Sequence, residues 1–159
     1  MTGQEFLEQL DGHFRRGEME AARDFLQKTY AEAVGEDDVS LQLTVLNEMM
    51  SYAGTMGQEE LGIAAVTECI RLIQEYGLQD NPSVGTMWMN MGIALYRFER
   101  VEDALACYRM AEEQLLKQYE KLDALPDSTE KRQALEEVVR ELNAEELQAA
   151  IKKCGDPED

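Results

Sequence analysis

The sequence predicts an all-α fold, and three observations support this prediction. Prolines are scarce, with only Pro82, Pro126 and Pro157 in 159 residues, so long stretches are free to stay helical. Strong helix formers such as Ala, Leu, Glu, Gln and Met are abundant. Apolar residues also recur three and four positions apart, as in Trp88, Met91 and Leu95. A chain of this length fits a single module with a continuous core.

Seven helical stretches follow from the residues that interrupt the apolar pattern. Gly17 and Gly57 suit tight turns between helices because glycine tolerates positive φ, and Gly77 stands where a C-terminal cap belongs. Asn81 before Pro82 is typical of an N-cap followed by a first-turn proline. The predicted stretches are 2–15, 18–34, 37–54, 58–76, 82–98, 101–122 and 129–153.

The last stretch has its own start and a predicted break. Asp127 or Ser128, after Pro126, is expected to cap its first turn. Asn143 and Glu146 have the spacing of a capping box, which would divide the stretch into two helices.

The helices recur with a regular period. The turn positions Gly17, Gly57 and Glu99 are 57 − 17 = 40 and 99 − 57 = 42 residues apart. Short connectors make successive helices pack antiparallel as hairpins, and each hairpin must stack on the next to cover its apolar face. The spacing therefore favours a solenoid of stacked two-helix repeats over a closed bundle.

Residues 88–111 resemble the tetratricopeptide repeat (TPR), whose pattern is W-x-x-L-G-x-x-Y, a turn, then A-x-x-x-F-x-x-A. Glu99 occupies the turn position where the family usually has glycine. Two earlier copies match more loosely, through Gly17, Ala22 and Leu26 in the first and Leu46, Met49 and Ala53 in the second. The matching positions of the third copy are Trp88, Met91, Gly92, Leu95, Ala104, Tyr108 and Ala111.

The resemblance implies a right-handed α-solenoid of antiparallel helical hairpins, with about seven helices. Three TPR-like repeats would occupy 1–124, at about 2–36, 37–80 and 81–124. Residues 125–153 would form a C-terminal capping helix, and 154–159 a disordered acidic tail.

The resemblance also implies a function in protein–protein interaction. In TPR arrays the first helix of each repeat lines a concave groove that holds a peptide or helix of a partner. Asn47 and Asn90 could donate to and accept from a peptide backbone, or could serve only local structure or face solvent. Met89, Ile93 and Tyr96 form an apolar flank that would receive a peptide side chain or be covered by the final helix. The groove candidates are Phe14, Arg15, Asn47, Ser51, Thr86, Met89, Asn90, Ile93 and Arg97.

Charge and cysteine usage restrict the partners and the compartment. The formal net charge of −18 disfavours binding to nucleic acid or to anionic lipid, and suits a basic or amphipathic protein or peptide. The first residues do not form a secretion signal, and no apolar run is long enough to span a membrane. Cys69, Cys107 and Cys154 form an odd set without a CxxC pair. A cytoplasmic protein is expected.

Catalysis is not expected. The chain has no GxGxxG, GxxxxGK[ST] or GxSxG motif, and His13, the sole histidine, has no nearby pair of cysteine ligands. Cys154 is expected to be exposed on a frayed acidic end and unreactive. We therefore expect neither a cofactor nor a metal.

Two alternatives to a peptide-binding adaptor protein remain open. Type III secretion translocator chaperones are likewise small, acidic and built from three TPRs, so the resemblance also fits a chaperone for a secreted protein. The third possibility is a scaffold that self-associates as a homo-oligomer through the groove or an end.

Overall fold

The computed structural model describes residues 1–81 and 83–155, which form eight α-helices and no strand. The all-α prediction is therefore confirmed. Pro82, the predicted first-turn proline, and residues 156–159 of the predicted tail lie outside the described residues. The helices are α1 (Gly3–Arg15), α2 (Met19–Gly35), α3 (Val39–Met56), α4 (Glu59–Glu75), α5 (Ser83–Arg97), α6 (Val101–Asp123), α7 (Thr129–Leu142) and α8 (Glu145–Gly155).

The chain divides into two compact units, of which Met1–Leu72 is the first. Within it, α1 packs on α2, α2 packs on α3, and α1 also contacts α3. Phe6, Leu26 and Met50, one from each of these helices, have no exposed surface, so they form the centre of this core. Tyr30 of α2 donates a 3.0 Å hydrogen bond from its hydroxyl to Glu68 of α4.

The second unit is Ile73–Asp159. Its main contact joins α5 to α6, and α6 also packs against α7 and α8. Trp88, Met91 and Tyr108, all predicted on the packing stripes, are buried. Gly92 lies directly against the Tyr108 ring, and a Cβ at position 92 would come within 2.5 Å of it. Close approach of α5 and α6 therefore requires a residue without a side chain at this point.

One turn geometry ends each of the first five helices. A residue with positive φ follows each helix, namely Gly17, Asp37, Gly57, Gly77 and Glu99. The next residue donates its N–H to the carbonyl five positions back, as in Glu18 to His13, Asp38 to Ala33, Gln58 to Ala53, Leu78 to Ile73 and Arg100 to Leu95. This is the Schellman arrangement, which satisfies carbonyls left open at a helix C-terminus. The intervals are 37 − 17 = 20, 57 − 37 = 20, 77 − 57 = 20 and 99 − 77 = 22 residues.

Helix starts follow the predicted capping residues. The Asn81 side chain accepts hydrogen bonds from the backbone N–H and the hydroxyl of Ser83, at 3.0 and 2.7 Å. Ser128 caps α7 by accepting from the N–H of Lys131. The Lys131 ammonium donates to the carbonyls of Asp123 and Leu125, which lie at the end of α6.

The predicted break in the last helix occurs, but not through a capping box. Asn143 is the C-cap of α7, and α8 begins only after Ala144. The Gln148 side chain of α8 donates a 2.7 Å hydrogen bond to the carbonyl of Leu142, so it satisfies an acceptor exposed by the break.

The C-terminal end of α8 also differs from the sequence prediction. Cys154 and Gly155, assigned to the disordered tail, belong to the helix, and Cys154 is buried rather than exposed. Leu147, Ile151 and Cys154 form the buried face of α8, three and four residues apart. Burial raises the pKa of the Cys154 thiol.

Glu99 offers a test of the turn geometry, because its φ is +64° without the freedom of glycine. An L-residue in the left-handed region costs about 1–2 kcal/mol, which a substitution by glycine removes. Part of that gain is lost again, because glycine has more conformational freedom in the unfolded chain. We expect Glu99→Gly to raise the free energy of unfolding by roughly 0.5–1 kcal/mol over wild type in urea titrations. Glu99→Ala is the control, because it removes the charge and keeps the strain. If E99G is no more stable than E99A, the left-handed residue is not strained.

Gly92 offers a test of the α5–α6 packing. Gly92→Ala must displace the Tyr108 ring, so we expect it to destabilise the protein by about 1–3 kcal/mol despite the better helix propensity of alanine. Gly85→Ala in the same helix is the matched control, because its nearest contact is Gln114 Cγ at an ordinary 3.6 Å. Thermal unfolding followed by circular dichroism should show a lower melting temperature for G92A and no loss for G85A. Equal melting temperatures would contradict the close approach.

Candidate functional site

The first unit contains a pocket of about 400 Å³ between the end of α1, the start of α2 and the second half of α3. Its volume is at the lower end of the range for ligand sites in proteins. Ser51, Thr55 and Met56 are exposed, so the pocket opens to solvent. The lining residues are Phe14, Met19, Glu48, Ser51, Tyr52, Thr55 and Met56.

Helical spacing explains why α3 supplies most of this pocket. Glu48 precedes Ser51 and Tyr52 by three and four residues, and these precede Thr55 and Met56 by four residues each, so all five share one face of the helix. The Phe14 ring of α1 stacks on the Tyr52 ring, with centroids 6.4 Å apart and planes 20° apart. The Tyr52 hydroxyl donates a 3.2 Å hydrogen bond to the carbonyl of Met19. These contacts fix the aromatic wall in place.

Glu48 is the one charged side chain among the residues that line the pocket. It is half-buried, and no side chain in the described part of the chain pairs with its carboxylate. Burial raises the pKa of Glu48 above its ordinary value, because an apolar environment disfavours the charged form. The pocket therefore combines aromatic and methionine walls with a carboxylate that lacks a counter-charge.

The second unit has two cavities beside α8. One of about 330 Å³ is lined by Thr86 and Met89 of α5 together with residues of α6, α7 and α8. The other, of about 340 Å³, is lined by Met89, Ile93 and Tyr96 together with Tyr108 and α8. Lys153 of α8 places its ammonium 4.9 Å from the centre of the Tyr96 ring. Of the two alternatives for the apolar flank, the structure shows the final helix lying beside it.

The structure brings together some of the predicted groove residues. Phe14 and Ser51 line the pocket of the first unit, and Thr86, Met89 and Ile93 line the cavities beside α8. The other four lie outside the lining of these three cavities. Arg15 is exposed and forms a 3.1 Å ion pair with Asp11. Asn47 and Asn90 are half-buried, Arg97 is exposed, and all three already have interaction partners.

Apart from Phe14 and Ser51, the lining residues were not among the groove candidates, although signals for three of them exist in the sequence. Glu48 precedes Asn90 by 90 − 48 = 42 residues, the same interval that separates Gly57 from Glu99, so it occupies the position equivalent to a nominated groove residue. Methionine is a flexible apolar residue that can fill gaps in a core or line a binding surface, and both Met19 and Met56 line the pocket, with Met56 41% exposed. The flexible methionine side chain suits an adaptable binding wall.

The described residues were also compared with the requirements of a metal site, a reactive thiol and a membrane span. Within residues 1–81 and 83–155, no group of three or more His, Cys, Asp or Glu side chains could hold a metal ion. Burial, with a smaller effect of Asp103, raises the pKa of Cys107 to about 12. In the same described residues, no helix combines the length and apolarity needed to cross a bilayer.

No protein-family model matches the chain, and no curated protein is significantly similar to it.

The unpaired Glu48 carboxylate predicts a gain in stability when it is neutralised. We expect Glu48→Gln to raise the melting temperature at pH 7 by roughly 1–3 °C, because the amide avoids part of the desolvation cost. Glu32→Gln, which removes an exposed carboxylate of α2 outside the pocket, is the matched control and should leave it nearly unchanged. A lower melting temperature for E48Q than for E32Q would contradict a desolvated carboxylate.

The pH dependence of this gain has a defined sign. Because the folded pKa of Glu48 lies above its ordinary value of 4.5, the folded state binds more protons than the unfolded state as pH rises from 4.5 through the folded pKa. Stability from this group is therefore present below pH 4.5 and lost over that window. The difference in melting temperature between E48Q and wild type should grow from pH 4 to pH 7. A difference that is constant or shrinks would contradict the raised pKa.

Proposed function

We propose that the protein is a protein–protein interaction module that binds a peptide segment of a partner, and that the pocket between α1 and α3 is its binding site. The observation that carries the proposal is the pocket itself. The pocket is open to solvent and is lined by aromatic and methionine side chains with a few polar groups, as peptide and ligand sites are. Phe14 and Ser51, nominated as groove residues through the TPR resemblance, lie together in its lining.

The recurrence of the helix turns supports the architecture that we propose with this function, a right-handed TPR-type solenoid of antiparallel hairpins. Stacked two-helix repeats require a turn that recurs at a regular interval, so that each hairpin presents the same face to the next. Five Schellman turns at intervals of 20 to 22 residues satisfy this requirement. In such an array α1 and α3 are the first helices of neighbouring repeats, which is where a groove would lie.

The arrangement of α8 gives independent support. This amphipathic helix lies beside Met89, Ile93 and Tyr96, residues nominated for the groove face of the third repeat or its apolar flank. A short helix with an apolar side and a lysine at its end can therefore occupy such a face. The net charge of −18 favours a basic partner, in keeping with a cytoplasmic adaptor that binds without catalysing a reaction.

Blocking the pocket tests the proposal. Random dodecapeptides displayed on phage would be selected against the full chain, and the enriched sequences synthesised and titrated by fluorescence anisotropy. Ser51→Trp fills the pocket from an exposed position, so we expect it to weaken binding at least tenfold, about 1.4 kcal/mol.

The matched control is Ser40→Trp, because Ser40 is exposed on the same helix and lies outside the pocket. S40W should bind the peptides as wild type does. The proposal fails if no peptide is enriched, or if S51W and S40W bind the enriched peptides equally well.

A further inference from the structure

We infer that the pocket between α1 and α3 takes an arginine side chain of the bound peptide, with the guanidinium against the Glu48 carboxylate and an aromatic ring. This inference rests on the proposed function and names the chemistry that the site recognises. It goes further because a peptide could bind in the same place through apolar contacts alone.

The first step is the geometry of the lining. Glu48 lies one helical turn before Ser51 and Tyr52 on the same face of α3, and Phe14 stacks on Tyr52 from α1. A side chain that enters the pocket therefore meets an aromatic ring and a carboxylate within one turn of helix. Guanidinium binds this pair of groups well, because it stacks on rings and donates two parallel hydrogen bonds to a carboxylate.

The second step is the missing partner of Glu48. A half-buried carboxylate normally has a cation or several N–H donors beside it, because burial disfavours the charged form. Glu48 has neither among the described residues, although the chain carries 15 Lys and Arg side chains that could have supplied one. The Glu48 carboxylate has already lost part of its hydration on folding, and a cation from a partner would replace those lost interactions with water. Ion pairing here is therefore worth more than at an exposed surface, where the charges are screened by solvent.

The third step distinguishes arginine from lysine. The pocket is lined mainly by Phe14, Tyr52, Met19 and Met56, so an entering cation must lose much of its hydration. Guanidinium is more weakly hydrated than ammonium and keeps its planar fork when it is desolvated. Ser51 and Thr55 add hydroxyl oxygens that can accept hydrogen bonds from the remaining N–H groups.

The protein itself contains a related contact. Lys153 of α8 lies over the Tyr96 ring in the cavity that α8 forms with α5 and α6. A cationic side chain on an aromatic wall therefore already occurs in the second unit, where the cation comes from the same chain. In the first unit the aromatic wall and the carboxylate are present and the cation is absent from the described residues.

The experiment compares an arginine peptide with its neutral isostere. Ac-Ala-Arg-Ala-NH2 and the matched citrulline peptide would each be titrated, up to about 10 mM, into the full chain labelled with ¹⁵N and with ¹³C in the methionine methyl groups. The amide resonances of Ser51, Tyr52 and Thr55 and the methyl resonance of Met56 report binding at the pocket. We expect the arginine peptide to bind at least tenfold more tightly than the citrulline peptide. Glu48→Gln should remove this preference, whereas the control Glu32→Gln should keep it.

The outcomes separate this inference from the proposed function. Equal binding of the two peptides, an arginine preference that survives in E48Q, or no change at the pocket resonances would overturn the arginine assignment. The phage-selected peptides and their sensitivity to S51W decide the proposed function independently. Circular dichroism of E48Q at the titration temperature separates lost binding from unfolding, and we expect the variant to be fully folded there.

Discussion

A left-handed residue at the end of each of the first five helices is the constraint on which the rest of the structure depends. Without it the helical sequence would continue, because the chain has few prolines and many strong helix formers. Each left-handed residue turns the chain and lets the next N–H bond back to the helix it has left. The turns therefore recur at intervals of 20 to 22 residues along the chain. Where Asp37 or Glu99 replaces glycine, the backbone keeps the same turn.

The pocket follows from this regularity. Because α3 runs uninterrupted from Val39 to Met56, its polar and aromatic residues form one continuous face toward the end of α1. The core of the first unit, with Phe6, Leu26 and Met50 fully buried, holds that face rigidly. Glu48 adds a cost that the core must offset. A group that is unfavourable for folding is typical of binding sites, where stability and function compete.

Much of the fold could be predicted because its signals are local. Gly17, Gly57 and Gly77 marked turns, Asn81 and Ser128 marked helix starts, and the stripes around Trp88 and Tyr108 marked buried faces. The turn at Asp37 carries no glycine, so only the neighbouring spacing indicated it. The end of α8 was missed for another reason. Cys154 sits in an acidic, terminal sequence, and only the burial of Leu147 and Ile151 on the same helical face shows that the helix continues through it.

The site was less predictable, because it depends on which helices meet. The resemblance nominated Phe14 and Ser51, which line the pocket, but it also nominated Asn47 and Asn90, which lie outside the lining and already have partners. Burial of Glu48 results from packing around α3 and cannot be seen from its sequence neighbours. Tyr52 lies in the pocket wall beside Met19 and Met56. Its sequence neighbours likewise do not indicate this position.

A crystal structure of the full chain with a phage-selected peptide would show directly where a ligand binds. We expect peptide density between α1 and α3, with a basic side chain stacked on the aromatic wall and its cation about 3 Å from the Glu48 carboxylate oxygens. A peptide bound on another surface, with the pocket of the first unit left open, would contradict it.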